Sequence, residues 1–397
     1  MSHHLAATTP SVRPSSTPLP LPLQRARPLS QRANSVATRT GRKPVASVAA
    51  AAASPTHRVD EMSEHQGIPE RVAVVTGGNR GIGIEVCRQL ALQGVTVILT
   101  ARDEERGKAA VESIRSESNL SDIIFHQLDI LDAGSRASLA RHIETRYGKL
   151  DILVNNAGVG GVAVDQEGLR ALNIDPKMWL SGKAAHLIES VIIQTYDEAV
   201  KCLNTNYYGL KWATEALLPL LKKSTSGARI INTTSLRSEL QRMPNEKLRE
   251  SLRDANSWDE ARIEAMLSEF LEDMKNERLE AAGWPMMLPA YSMSKMVVNL
   301  YTRILARRHP EMRINCVHPG FVKTEINWNT GVLSPEEGAR GASRAGARRR
   351  AHRLLLRPDE DGGGLVIESY TTGATLFRFA FFHALDLQFR CFLAKLV

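Results

Sequence analysis

Val72-Ala73-Val74-Val75-Thr76-Gly77-Gly78-Asn79-Arg80-Gly81-Ile82-Gly83 is the stretch whose reading decides the fold. Four small or β-branched apolar residues in succession read as a strand buried on both faces. The glycines at 77, 81 and 83 then permit a tight turn, and they let the backbone approach a pyrophosphate lying over the N-terminus of the next helix. A glycine cluster alone is weak evidence. Its weight here comes from the strand before it and the amphipathic helix, about 81–93, after it.

Outward from this junction, short β-branched runs alternate with helical stretches. Strands are expected at 72–76, 96–100, 123–128, 150–154, 229–233 and 313–317, and helices at 103–118, 132–147, 196–223 and 289–309. Six such units predict an α/β fold, a Rossmann-type doubly wound parallel sheet, as a single domain over 70–338. Two stretches break the rhythm. About 45 residues between Gly158 and Asn206 are partly irregular. The second, about 238–288, carries Leu248, Leu252, Ile263, Met266, Leu267, Phe270, Leu271 and Met274 at helical spacing, and reads as a helical insertion with one apolar face.

Hydrophobic residues make up 43% of the 397, enough for a sizeable core. No run approaches the roughly 18 uninterrupted apolar residues of a membrane span. The net charge of +8 sits in residues 1–59, which hold eight Lys/Arg and no acid, leaving 43 basic against 43 acidic residues in the remainder. A nucleic-acid partner is therefore not expected. Residues 1–65, rich in Ala, Ser, Thr, Pro and Arg, are expected to be a disordered leader. They read either as a transit peptide or as a non-native extension, with Met62 a natural start. The expected compartment is cytoplasmic, or the plastid stroma if the leader is translated. Cys87, Cys202, Cys316 and Cys391 lie far apart and read as small buried hydrophobes in a reducing compartment. His126, His142 and His318 show no metal pairing, and no metal site is expected.

The end of the second strand reads Thr100-Ala101-Arg102, where an NAD-selecting fold places an acid. Arg102 and Arg80 facing the adenosine ribose would pair a 2′-phosphate, so NADP(H) is the expected cofactor. Gly77, Asn79, Gly81, Ile82 and Gly83 complete the loop; Asp129 and Ile130 end the third strand and Asn156, Ala157 and Gly158 follow the fourth. Pro319-Gly320, with Val322 and Thr324, would close the nicotinamide end. Tyr291 and Lys295, four apart on a helix, share one face. A tyrosine near pKa ~10 is a poor acid at neutral pH, and a lysine cation beside it favours the phenolate. Ser235, at a strand end, would hold a substrate carbonyl.

In this order, the glycine motif at 76–83, Asn155–Gly158, Asn232-Thr233-Thr234-Ser235, Tyr291-Ser292-Met293-Ser294-Lys295 and Pro319-Gly320 resemble the short-chain dehydrogenase/reductase superfamily. The resemblance implies that Ser235 and Tyr291 act on the substrate oxygen. It implies that Lys295 also binds the nicotinamide ribose, and that Asn206 holds a water of the proton relay. Ser235 and Tyr291 stand 56 positions apart, a spacing similar to that of the plant branch containing neomenthol dehydrogenase and salutaridine reductase. That likeness, over roughly 70–338, implies a monomer whose insertion covers an oligomerisation face and borders the substrate pocket. The retained Tyr291 implies ketone reduction or alcohol oxidation rather than C=C reduction, on a small lipophilic ketone, monoterpenoid- or alkaloid-like. Trp258 and Trp284 are candidate pocket residues. After 338 the resemblance stops: 340–357 holds seven arginines and no acid, and 339–397 is expected to be a poorly ordered tail that leaves the sheet edge open. A non-catalytic NADP-binding protein disabled by that tail is the alternative.

Overall fold

The computed structural model describes residues 70–118, 120–347, 354–358 and 365–369. The expected leader, Cys391 and the end of the tail lie outside them. The chain opens with β1 (Val72–Val75), α1 (Gly81–Ala91), β2 (Thr96–Ala101), α2 (Glu104–Ser118), β3 (Ile123–Gln127), α3 (Ala133–Tyr147) and β4 (Ile152–Asn155). Asp132 caps α3 by accepting the Ser135 N–H, and Gly148, at φ +67°, ends it.

After β4 comes a small excursion. A hairpin of β5 (Ala163–Val164) and β6 (Ile192–Ile193) encloses α4 (Gln166–Ala171), α5 (Pro176–Ser181) and α6 (Ala185–Ile188). Then follow α7 (Tyr196–Leu203), a π turn (Asn204–Gly209), α8 (Leu210–Leu221) and β7 (Arg229–Thr233). The second excursion holds α9 (Glu246–Arg253) and α10 (Glu260–Lys275). It leads to α11 (Pro289–Arg308), β8 (Arg313–Val317), α12 (Pro335–Ala347), β9 (Leu354–Pro358) and β10 (Leu365–Ser369).

The sheet runs β10-β9-β8-β7-β4-β1-β2-β3, and the six strands from β8 to β3 are parallel. Each expected strand and helix of this frame is found within two residues of its place. Alternation sends Val72 and Val74 of β1 to one face, with α3, α7, α8 and α11, and Ala73 and Val75 to the other, with α1, α2 and α12. The insertion's apolar face is as expected: Leu252, Ile263, Met266, Leu267 and Phe270 are buried in the first of these cores. Its polar ends are tied too. Lys211 reaches Glu260 at 2.7 Å, and Arg308 pairs with the same carboxylate.

The domain does not end at 338. Helix α12 runs to Ala347 and lies on α1 through Gly338, Ala339, Gly341, Ala342, Ser343 and Gly346, all buried. A Cβ on Gly338 would come within 2.4 Å of Val322 Cγ2. Packing this close needs small residues, which a search for large apolar side chains passes over. Arg71 then caps the helix end, donating to the carbonyls of Gly346 (2.5 Å) and Ala347 (2.8 Å). Beyond it β9 lies parallel to β8, with Leu356 opposite Val317, and β10 pairs antiparallel with β9. The β8 edge is therefore met by β9 at its carboxyl end, at Val317. Among the described residues no helix is long and apolar enough to cross a membrane.

Candidate active site

One cleft crosses the carboxyl ends of the parallel strands, where a doubly wound sheet places its ligand. Its first wall is the glycine loop. Gly77 (φ +62°) and Gly81 (φ +53°) occupy the left-handed region, and a Cβ on Gly83 would fall 2.2 Å from the Gly77 carbonyl oxygen. No side chain caps α1, so its first amides remain available to an anion. The loop is locked to the end of β4. Thr76 Oγ1 accepts the N–H groups of Asn156 (3.0 Å) and Ala157 (3.1 Å), and Asn156 Nδ2 donates to the Thr76 and Gly77 carbonyls. A glycine cradle leading into a helix N-terminus without a side-chain cap fits a dinucleotide pyrophosphate.

Asn79, Ile82, Arg102, Asp129, Ile130, Ala157, Gly158, Val322 and Thr324 line the same cleft. Asp129 Oδ1 accepts the Leu131 N–H at 2.9 Å, which fixes the loop after β3. Arg80 is in place but not free: its guanidinium pairs with Glu325 across the mouth of the cleft. Both side chains are more than half exposed, 57% and 67%, so the pair contributes no more than about 1 kcal/mol and a phosphate could replace it.

The floor is built from α11, β7 and the π turn. Tyr291 and Lys295 share a face, with Lys295 Nζ 5.7 Å from the tyrosine ring centroid. Lys295 is buried and donates to the Thr233 carbonyl at 2.8 Å. Burial pushes its ammonium down to about 8, where it is still mostly charged at neutral pH. Burial pushes the Tyr291 phenol up to about 12; its hydrogen bond with Ser235 and the nearby Arg237 guanidinium act against that rise. The cation expected to lower this phenol was Lys295. In the structure Lys295 stands over the ring and donates to Thr233, and the Arg237 guanidinium is a second cation near the phenol.

Asn206 sits in the π turn, a one-residue widening of the helix that brings a side chain where a regular helix would not. Its Nδ2 donates to Val159 O and Ser294 Oγ, both at 3.0 Å, and its Oδ1 accepts the Val159 N–H at 2.8 Å. A Cβ on Gly158 would meet Asn206 Oδ1 at 3.2 Å and Lys295 Nζ at 3.7 Å, so both polar groups border one point. Beneath, Asn155 Nδ2 donates to Asn232 Oδ1 (2.8 Å) and Thr214 Oγ1 (2.9 Å), and Asn232 Nδ2 to Thr302 Oγ1 (2.8 Å). This buried chain pins β4 to β7, α8 and α11 and fixes the floor.

Two expected pocket residues are elsewhere. Trp258 and Trp284 are 3% exposed in the main core, their indole N–H groups satisfied by the Ser251 carbonyl and Asp273. The aromatic wall of the cleft comes from Trp179 of α5 and from Phe321 and Trp328 after β8, with Trp179 and Trp328 ring centroids 6.2 Å apart. Sequence reading missed these and Arg237, because nothing local marks them as neighbours.

The short chain dehydrogenase family model matches residues 71–246. (+)-Neomenthol dehydrogenase of Arabidopsis thaliana is 48% identical over 271 residues, which are 68% of this chain and 88% of that protein. Among solved structures, salutaridine reductase from Papaver somniferum matches with a TM-score of 0.65 and 42% identity, over 70% of this chain and 95% of that one. Menthone neomenthol reductase from Mentha piperita matches with a TM-score of 0.62 and 37% identity, over 71% and 96%.

Proposed function

Because this chain belongs to the short-chain dehydrogenase/reductase family, whose members are NAD(P)-dependent oxidoreductases, we propose that it is an NADP(H)-dependent carbonyl reductase, running in reverse as an alcohol dehydrogenase. Its substrate is a small lipophilic ketone of monoterpenoid or alkaloid type, in keeping with the names of its relatives. The observation that carries the reading is that Ser235, Tyr291 and buried Lys295 line one cleft together with the glycine cradle.

The nicotinamide, when bound, supplies the hydride. Everything else is done by the chain. The Ser235 and Tyr291 hydroxyls donate to the substrate carbonyl oxygen and orient it, and Tyr291 gives up its proton to that oxygen as the alcohol forms. Lys295 beneath the ring stabilises the phenolate left behind, and Asn206 holds the water through which Tyr291 is reprotonated. Arg102, with Arg80 released from Glu325, takes the 2′-phosphate that separates NADP(H) from NAD(H). The insertion covers the α7 and α11 face with its own apolar residues, which supports a monomer. Cys87, Cys202 and Cys316 are buried, as small hydrophobes are, and the compartment we propose is the cytoplasm, or the stroma if the leader is translated. The alternative of a disabled cofactor-binding protein is the less favoured reading, because the cleft keeps Ser235, Tyr291 and Lys295 together.

The test is NADPH oxidation with menthone-like ketones. Wild type is expected to turn over, and Tyr291→Phe to lose about 100- to 10,000-fold in kcat. Equal rates from both proteins would sink the mechanism, and a preference for NADH with Arg102 intact would sink the cofactor assignment.

A further inference from the structure

The substrate half of the cleft is largely apolar, with His318, Glu325 and Asn327 on the loop after β8 as its polar side chains on that wall. Trp179, Leu180, Leu288, Phe321, Ile326 and Trp328 line it, and among them stands Arg237 on the turn Leu236–Ser238. Its backbone N–H donates to Ser235 Oγ at 3.2 Å, so the residue that faces the reacting carbonyl also fixes where the arginine starts. Its guanidinium donates to the Trp179 carbonyl of α5. A guanidinium has five N–H donors in a planar fork, so one carbonyl leaves most of them for another acceptor. The acid two residues on, Glu239, is engaged by Arg242 at 3.1 Å. Burial, and then the like charge of Arg242, push Arg237 down to about 10, with Tyr291 and Glu239 acting in the opposite direction. Tying α5 to the insertion would need only a neutral donor. A cation that is costly to bury and placed beside Tyr291 fits recognition better.

We propose that Arg237 is a specificity residue that selects ketones carrying a carboxylate on the part of the molecule remote from the reacting carbonyl, and that disfavours ketones carrying a protonated amine. This rests on the carbonyl-reductase reading and narrows its substrate class. An Arg–carboxylate pair formed in a half-buried, apolar wall is bidentate and charge-assisted, and the same charge repels an ammonium.

The enzyme loaded with NADP+ is titrated with an alicyclic keto acid, its methyl ester and the matching amino ketone, followed by calorimetry. The acid is expected to bind about 10- to 100-fold more tightly than the ester, and the amine most weakly. Arg237→Gln, which keeps a donor for the Trp179 carbonyl, should bring the acid to the level of the ester while leaving the ester within about twofold; Arg237→Lys should recover part of the difference. Acid and ester binding wild type alike, neither binding, or both losing equally in Arg237→Gln would overturn the proposal and leave Arg237 a strut. Binding is read without turnover. A keto acid held tightly yet never reduced by NADPH would therefore leave Arg237 standing and remove the reductase reading.

Discussion

The two excursions from the parallel sheet are joined to the body in opposite ways. Residues 159–195, after β4, build a small core of their own from Leu169, Trp179, Ile188, Val191 and Ile192, with Met287, Phe321 and Trp328 against it. The helical part of residues 238–288, after β7, shares the main core, since Leu252, Trp258, Ile263, Leu267 and Phe270 belong to the same cluster as α7, α8 and α11. Its last residues, Met287 and Leu288, join the smaller cluster. Glu264 adds to the weld, accepting a hydrogen bond from Tyr208. An element sharing the main core opens only with the whole fold, whereas one with a satellite core can open by itself. The lesson is a division of labour. The longer insertion is structure, and the shorter excursion is the adjustable wall of the cleft.

Phe270→Ala offers the strongest chance to break this contrast. It should cost about 3–5 kcal/mol of global stability, read as a lower denaturant midpoint with the unfolding still a single transition. A change confined to KM would mean that the insertion is not welded. At the floor between the two excursions, Lys295→Met should lose activity yet gain about 3 kcal/mol at pH 7. Burial lowers Lys295 from 10.5 to about 8, so the cost of holding its charge is fully present below pH 8 and is relieved as pH rises from there toward 10.5. Matched denaturation curves should therefore show the variant's advantage shrinking at pH 10, and an advantage that grew instead would reverse the assignment. Trp179→Ala should show the smallest energy. KM for a bulky ketone should rise about tenfold with the global midpoint nearly unchanged, because the loss falls on the satellite core. A midpoint fall as large as that of Phe270→Ala would erase the distinction between the two regions.

What the sequence makes legible follows how local each signal is. The strand–turn–helix at 72–91, the four-residue step from Tyr291 to Lys295 and the strand-end Ser235 are short-range patterns, and all stand where they were expected. The apolar stripe of the insertion is legible for the same reason. Contacts made across long stretches of chain are not. Arg80 meets Glu325 245 positions away, and Trp179 meets Trp328 only because α5 and the loop after β8 fold over one cleft. Arg237 was hidden differently: beside Ser238, Glu239 and Arg242 it reads as one more solvated charge of a polar segment. Helix α12 was hidden by its composition, since Gly and Ala leave no stripe of large apolar side chains although they allow close packing.

The π turn Asn204–Gly209 has a meaning in terms of insertions and deletions. A turn of this kind is an α-helix holding one residue too many, and the flanking segments keep their packing because the surplus is absorbed where it arises. Here the flanks, Tyr196–Leu203 and Leu210–Leu221, bury their own apolar faces on either side of the bulge. Losing one codon inside 204–209 would therefore leave a longer, more regular helix and an intact sheet, but would draw Asn206 away from Val159 and Ser294. The distance between an active member of this family and an inert, well-folded one can thus be a single residue, in a segment where neither charge nor hydrophobicity need change.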